Sequence, residues 1–110
     1  MDITEFKGED FKVMLKSDGW KIGFLRYSER FSNFGTLERH LKTDEAFILL
    51  KGSAVLYENY EPYEMEKCKV YNISRGVWHH IVVSKDATVM VVENADTSLE
   101  NTERIKISQS

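Results

Sequence analysis

One stretch of this chain gathers side chains that bind metal ions. It runs from Glu38 to Gly52 and reads ERHLKTDEAFILLKG. Glu38 and His40 are two residues apart, so on an extended strand they project from the same face. Asp44 and Glu45 follow after a short polar step, and then comes the apolar run AFILL. Potential ligands are thus delivered into the mouth of a hydrophobic strand. A second histidine site lies downstream in SRGVWHHIVV, Ser74 to Val83. The two segments are expected to meet in space.

Strand parity sorts these residues. In Val77 to Val83, His79 shares a face with Val77, Ile81 and Val83, and His80 shares the other with Trp78 and Val82. Only one of the two adjacent histidines can enter a given cavity. His79 is that one: its face is otherwise apolar, and a buried imidazole needs a partner. His80 is expected outside or at an interface, beside Trp78. Glu45 shares a face with Phe47, Leu49 and Lys51, which leaves Asp44 pointing away as a turn or ion-pair residue. Tyr27, Tyr57, Tyr63 and Trp78 are further candidates for lining a pocket, although aromatic residues of a small β-protein more commonly build its core. Arg26, Arg39 and Arg75 could hold an anionic group by paired hydrogen bonds, although a solvated arginine is commoner.

Short strands separated by turns must position these groups. Phe11 to Leu15 and Trp20 to Tyr27 flank Ser17-Asp18-Gly19 and read as a hairpin. Ser28 to Gly35 is a loop anchored by Phe31 and Phe34. Glu45 to Lys51 and Ser53 to Asn59 are strands, with a turn expected around Glu61-Pro62. Tyr63 to Val70 is charged and suits an edge strand. Tyr71 to Ile73, Val77 to Val83 and Ala87 to Glu93 follow. Arg104 to Ile107 (RIKI) alternates and reads as a last strand, one that a partner could take up by exchange. No window forms a convincing amphipathic helix. The pattern predicts an all-β sandwich or barrel. Because both faces of Glu45 to Lys51 are apolar, the barrel's outside is expected to be covered too, as in a homodimer.

Composition bounds the rest. A chain of 110 residues predicts a single domain, with residues 1–9 as an arm and 95–110 as a C-terminal tail that could pair with a partner. The balance of 42% hydrophobic and 30% charged residues is that of a globular protein, which excludes disorder. The net charge of −3 is carried without any basic run, which argues against nucleic-acid binding. The N-terminal residues lack the apolar core of a signal peptide, and no apolar stretch is long enough to span a membrane. The lone cysteine, Cys68, cannot form an internal disulfide, so the cytoplasm is the expected location.

Glu38-x-His40-x4-Glu45-x6-Gly52 resembles the first motif of the cupin superfamily, in which HxH is followed by a glutamate and then a glycine. Ser74-x-Gly76-x2-His79 resembles the second, PxGxxH. The likeness is close over residues 35 to 94. Glu38 stands where the motif has its first histidine, Ser74 where it has proline, and Val83 where an asparagine is sometimes found. The resemblance implies a small single-domain cupin of the cupin-2 kind, with a β-barrel of double-stranded β-helix, or jelly-roll, type. It is often dimeric. The resemblance also implies a divalent metal held by His40, Glu45 and His79, with Glu38 in the remaining position as a ligand or as a catalytic general base.

Such a donor set suits Mn²⁺, Fe²⁺, Ni²⁺ or Zn²⁺, and its second carboxylate favours the harder Mn²⁺ and Fe²⁺. The expected function is action on, or binding of, a small polar molecule whose identity the sequence does not name. The alternative is a non-catalytic ligand-binding or structural cupin dimer that has lost its metal, since a fold can outlive its chemistry.

Overall fold

The polar ends of five strands converge on one end of a two-layered β-structure, and the apolar remainder of each strand builds the core beneath them. The computed structural model describes residues 1–107; the last part of the expected tail, 108–110, lies outside the described residues. Ten strands follow in chain order: β1 (Phe11–Lys16), β2 (Trp20–Arg26), β3 (Thr36–His40), β4 (Glu45–Lys51), β5 (Ala54–Glu58), β6 (Glu61–Glu64), β7 (Tyr71–Ile73), β8 (His79–Val83), β9 (Thr88–Asn94) and β10 (Thr102–Lys106). Short 3-10 turns occupy Glu29–Phe31 and Leu99–Asn101.

One sheet has the order β1-β2-β9-β4-β7 and the other β10-β3-β8-β5-β6, and every pairing is antiparallel. Strands distant in sequence lie side by side, as in the jelly-roll barrel expected. Period-two alternation creates the core. Val89 and Val91 of β9, Phe47 and Leu49 of β4, and Ile81 and Val83 of β8 are all buried, while the residues between them are half-buried. At about 25 cal/mol per Å² of apolar surface removed from water, each such side chain contributes on the order of 1.5–3 kcal/mol.

Cross-strand register stacks the inner face into layers. Lys21, Glu93, Glu45 and Ile73 face one another in one row, and Gly23, Val91, Phe47 and Tyr71 form the next. The polar row is thus the end of an otherwise apolar barrel. Gly23 makes room for the ring of Phe11, because a Cβ there would lie 2.3 Å from Phe11 Cε1.

Several boundaries differ from the sequence reading. The turn expected at Glu61-Pro62 falls instead at Asn59-Tyr60, with Asn59 at φ +53°. Pro62 sits in the edge strand β6 opposite Tyr57, a place where its missing N–H is tolerated. The C-terminal strand begins at Thr102, two residues before the expected Arg104. β10 pairs with β3 of its own chain, from Thr102↔His40 to Lys106↔Thr36. The free edge of β3 lies within reach of the short β9–β10 connection, so pairing within the chain needs no partner. Residues 1–9 contain no strand. They are tied down by Phe6, whose ring packs under the Arg26 guanidinium at 5.0 Å and whose carbonyl accepts a 2.7 Å bond from it.

Candidate functional site

Strand direction decides which residues meet. β3 ends at His40 and β9 ends beyond Glu93, whereas β4 begins at Glu45 and β8 at His79. Antiparallel pairing brings all four to the same end of the barrel. His40, Glu45, His79 and Glu93 are each buried.

Glu45 is the centre of the cluster. One carboxylate oxygen, Oε1, lies 3.1 Å from His79 Nε2, and the other, Oε2, lies 3.1 Å from His40 Nε2. The outer nitrogen of each ring is already committed. His79 Nδ1 is 3.0 Å from the Val77 carbonyl, which can only accept, so Nδ1 carries the proton. His40 Nδ1 is 2.9 Å from Thr102 Oγ1, and that hydroxyl spends its own proton on the Ser98 carbonyl at 2.7 Å. His40 Nδ1–H must therefore donate. Both neutral rings then turn an Nε2 lone pair toward a carboxylate. Lone pairs facing lone pairs in a buried cluster require a positive charge between them, as protons or as a metal ion.

His40 Nε2 is the orphan of the group. It is close to Glu45 Oε2 but off the line that a hydrogen bond needs, and it has no hydrogen-bond partner. A buried polar atom without a partner costs about 1–3 kcal/mol. The donor set, the fixed tautomers and this unpartnered nitrogen all fit a divalent cation.

Electrostatics follow from the crowding. Burial alone would raise Glu45, but the close His40 imidazole, the hydrogen bond with His79 and the contact with Glu93 outweigh it and hold the carboxyl well below the usual range. Glu93 shows the converse: burial, then its hydrogen bond to Glu45 and that group's charge, push it up to about 9. Burial opposes charge on His79, yet the hydrogen bond and charge of Glu45 prevail and raise it.

Glu38 sits at the rim, opposite His79 in the ladder. Its Oε1 is 3.7 Å from His40 Nε2, and its Oε2 accepts 2.7 and 3.2 Å bonds from Arg104. The four residues expected from the sequence are thus assembled at one place. Two that sequence reasoning missed join them, Glu93 and Lys21. Lys21 Nζ is 3.6 Å from Glu93 Oε1 and donates to the Thr97 carbonyl at 2.7 Å. The signal was parity: Glu93 continues the inner face of Val89 and Val91, and Lys21 that of Gly23 and Leu25.

The cluster forms the polar wall of a cavity of about 350 Å³. Its apolar wall includes Phe11, Phe31, Phe47 and Ile81. None of Tyr27, Tyr57, Tyr63 and Trp78 lines it. Tyr57 stacks on Phe34 at 4.0 Å and Trp78 lies under Arg39 at 4.5 Å, because their parity places them outside. Arg39 pairs with Glu103, Arg26 holds the N-terminal segment, and neither they nor Arg75 reach the cavity; Arg30 and Arg104 line it instead. His80 turns its ring to the other side of β8 from His79, where its Nε2–H donates to the Asn33 carbonyl at 2.8 Å, yet the residue also borders the cavity from which it was expected to be absent. Burial depresses its pKa. Asp44 points away and accepts bonds from Asn72 Nδ2 and the Arg75 amide, which pins the turn before β8.

No family model and no curated protein sequence matches the chain. Solved structures do match its shape. A cupin-2 domain protein from Shewanella frigidimarina is 19% identical with a TM-score of 0.67, over 81% of this chain and 84% of its own. A variant of Streptomyces Pac13 with uridine is 12% identical with a TM-score of 0.71, over 97% and 95%; Pac13 is described as a nucleoside dehydratase. An RmlC-like cupin with a double-stranded β-helix fold from Methanocaldococcus jannaschii is 16% identical with a TM-score of 0.65, over 86% and 90%. The fold of this chain is the double-stranded β-helix of the cupins.

Proposed function

We propose that this cupin-fold protein binds a divalent metal ion at the closed end of its cavity and there binds, or acts on, a small polar molecule. His40, Glu45 and His79 are the proposed ligands, with Glu38 as a fourth ligand or as a general base. The observation that carries the reading is the pair of locked imidazoles: Thr102 and the Val77 carbonyl take up each Nδ1–H, and both Nε2 atoms face one carboxylate. Outer partners that fix a ring's tautomer in this way are characteristic of ligating histidines.

A bound ion would supply Lewis acidity or an activated water. The protein's own groups supply the remainder. Glu38 is near enough to the cluster to accept a proton, and Arg104 holds its orientation. Phe47, Ile81 and Phe31 form an apolar wall that limits water. The cavity volume suits a molecule of metabolite size. Uridine, seen with one of the fold neighbours, is a first probe to try. The composition supports a cytoplasmic setting, and no helix among the described residues is long and apolar enough to cross a membrane.

The proposed assembly is a homodimer. Ile22, Val92 and Ala46 form one outer row on β2, β9 and β4, and Phe24, Met90 and Ile48 form the next. All six are half-buried in the isolated chain, and a second copy would cover them.

The test is elemental analysis of protein prepared without a metal-chelating tag, followed by titration with Mn²⁺, Fe²⁺, Ni²⁺ and Zn²⁺. One tightly bound ion per chain is expected, and His40→Ala and His79→Ala should each abolish it. A wild-type protein that takes up none of these ions would sink the reading.

A further inference from the structure

We infer that Glu93 is the fourth protein ligand of the metal centre, taking the place in the shell that Glu38 does not fill. The inference rests on the metal-binding reading above and refines it. Ligand atoms of His40, Glu45 and Glu93 all lie within 4.8 Å of one another, and all three residues are buried. His40 Nε2, buried and without a hydrogen-bond partner, is the member of this group that asks for a cation.

Glu38 also falls within reach, in a group with His40 and His79. Charge separates the two candidates. A divalent ion in a buried site is best balanced by two negative charges, and Glu45 provides one. The charge of Glu38 is already met by Arg104, through two bonds to the same oxygen. Glu38 is also partly open to solvent, with 29% of its side chain exposed. Glu93 has a cation nearby as well, Lys21, but at 3.6 Å it lies beyond hydrogen-bond distance and leaves the carboxylate less fully engaged than Arg104 leaves Glu38. Glu93 faces Glu45 across the β4–β9 ladder, and two carboxylates side by side in a buried site repel each other unless a proton or a cation lies between them.

Lys21 completes the balance. Its side chain is 13% exposed, and its described partners are the Thr97 carbonyl and Glu93. An ionised, metal-bound Glu93 would leave its outer oxygen for this ammonium. The ligand shell then reads as two imidazoles and two buried carboxylates, whose charges balance a divalent ion, with the Lys21 ammonium beside the outer oxygen of Glu93. Glu38 is left outside the shell, steadied by Arg104 and free to accept a proton from a bound molecule. The histidine missing from the first motif would thus be replaced from β9 and not from its own position.

The experiment compares Glu93→Gln with Glu38→Gln. Zn²⁺ affinity is measured by competition with a chromophoric chelator, and Co²⁺ is used as a spectroscopic probe of the shell. Glu93→Gln should weaken Zn²⁺ binding by more than about tenfold and alter the Co²⁺ absorption bands, while Glu38→Gln stays within about threefold of wild type. Unchanged affinity in Glu93→Gln, or loss in Glu38→Gln alone, overturns the assignment while leaving a metal site. Failure of the wild-type protein to bind either ion would remove the site and this inference together. A crystal of wild-type protein soaked in Zn²⁺ reads the same point if the variant does not fold. A Glu93 oxygen about 2.0–2.2 Å from the ion supports the assignment, and Glu38 in that place refutes it.

Discussion

His40 and His79 lie with ring centroids 5.3 Å apart, and each aims Nε2 at a different oxygen of Glu45. Their outer nitrogens are held by unlike partners: a hydroxyl from β10 for His40 and a local carbonyl for His79. This difference gives the first prediction. Thr102→Val removes the acceptor for His40 Nδ1–H and frees the ring. Metal affinity should fall by about 10–100-fold, and leaving the nitrogen unpaired should cost on the order of 1–3 kcal/mol in stability. Chelator competition and chemical denaturation measure the two effects. Unchanged affinity would mean that Thr102 does not orient the ring.

Where no ion is bound, protons must separate the facing carboxylates and imidazoles, which predicts a pH dependence. Glu93 is raised from 4.5 to about 9 and His79 is raised above 6.5, so both hold protons more tightly when folded than when unfolded. Their stabilising contribution is present at low pH and is lost as pH rises: from about 4.5 to 9 for Glu93, and from about 6.5 upward for His79. Glu45 is held low, so its contribution runs the other way, present above 4.5 and lost in acid. The melting temperature of chelator-treated protein should therefore fall between about pH 6 and pH 9. Glu93→Gln should flatten that limb in part, and saturating Mn²⁺ or Zn²⁺ should flatten it further. A level alkaline limb in the apo-protein would contradict this account.

Gly52 closes the first motif for a steric reason. Its φ is +75°, and a Cβ there would lie 2.6 Å from Ala87 Cα and 2.8 Å from Ala87 N, both backbone atoms that cannot swing away. Gly52→Ala should cost about 1–3 kcal/mol from the backbone conformation alone, with the clash adding to it. Gly76, at φ +81° with nothing within 4 Å, carries only the conformational part, so Gly76→Ala should cost about 1–2 kcal/mol. Equal losses in urea denaturation would show that the Ala87 contact does not matter.

The outer rows of β2, β9 and β4 predict a surface whose disruption changes assembly and not the site. Phe24→Glu or Met90→Glu places a charge within that apolar grid. Light scattering should report a dimer for wild type at micromolar concentration and a monomer for either variant, with metal binding retained. A monomeric wild-type protein would remove the homodimer from consideration.

Local rules made part of this protein legible. Alternation alone assigned His79 inward and His80 outward, put Glu45 on the face of Phe47 and Leu49, and turned Asp44 away, because successive strand residues must point to opposite faces. The motif spacing pointed to the jelly-roll fold that the structure adopts. Boundaries were harder where side chains compete weakly. The turn slid from Glu61-Pro62 to Asn59-Tyr60 because an edge strand tolerates proline. The same parity that served His79 also marked Glu93 and Lys21 as inward, but a charged residue ending an apolar strand reads equally well as a strand terminus meeting water.

Nothing local relates Glu93 to Glu45, Arg104 to Glu38, or Thr102 to His40. Each pair is set by which strands become neighbours and in what register, and those are properties of the closed barrel. The residue types and spacing determined by themselves that two histidines and a glutamate would face inward from apolar strands. Only the tertiary structure decided that a second buried carboxylate stands beside them, because register between strands remote in sequence is settled by packing the whole core.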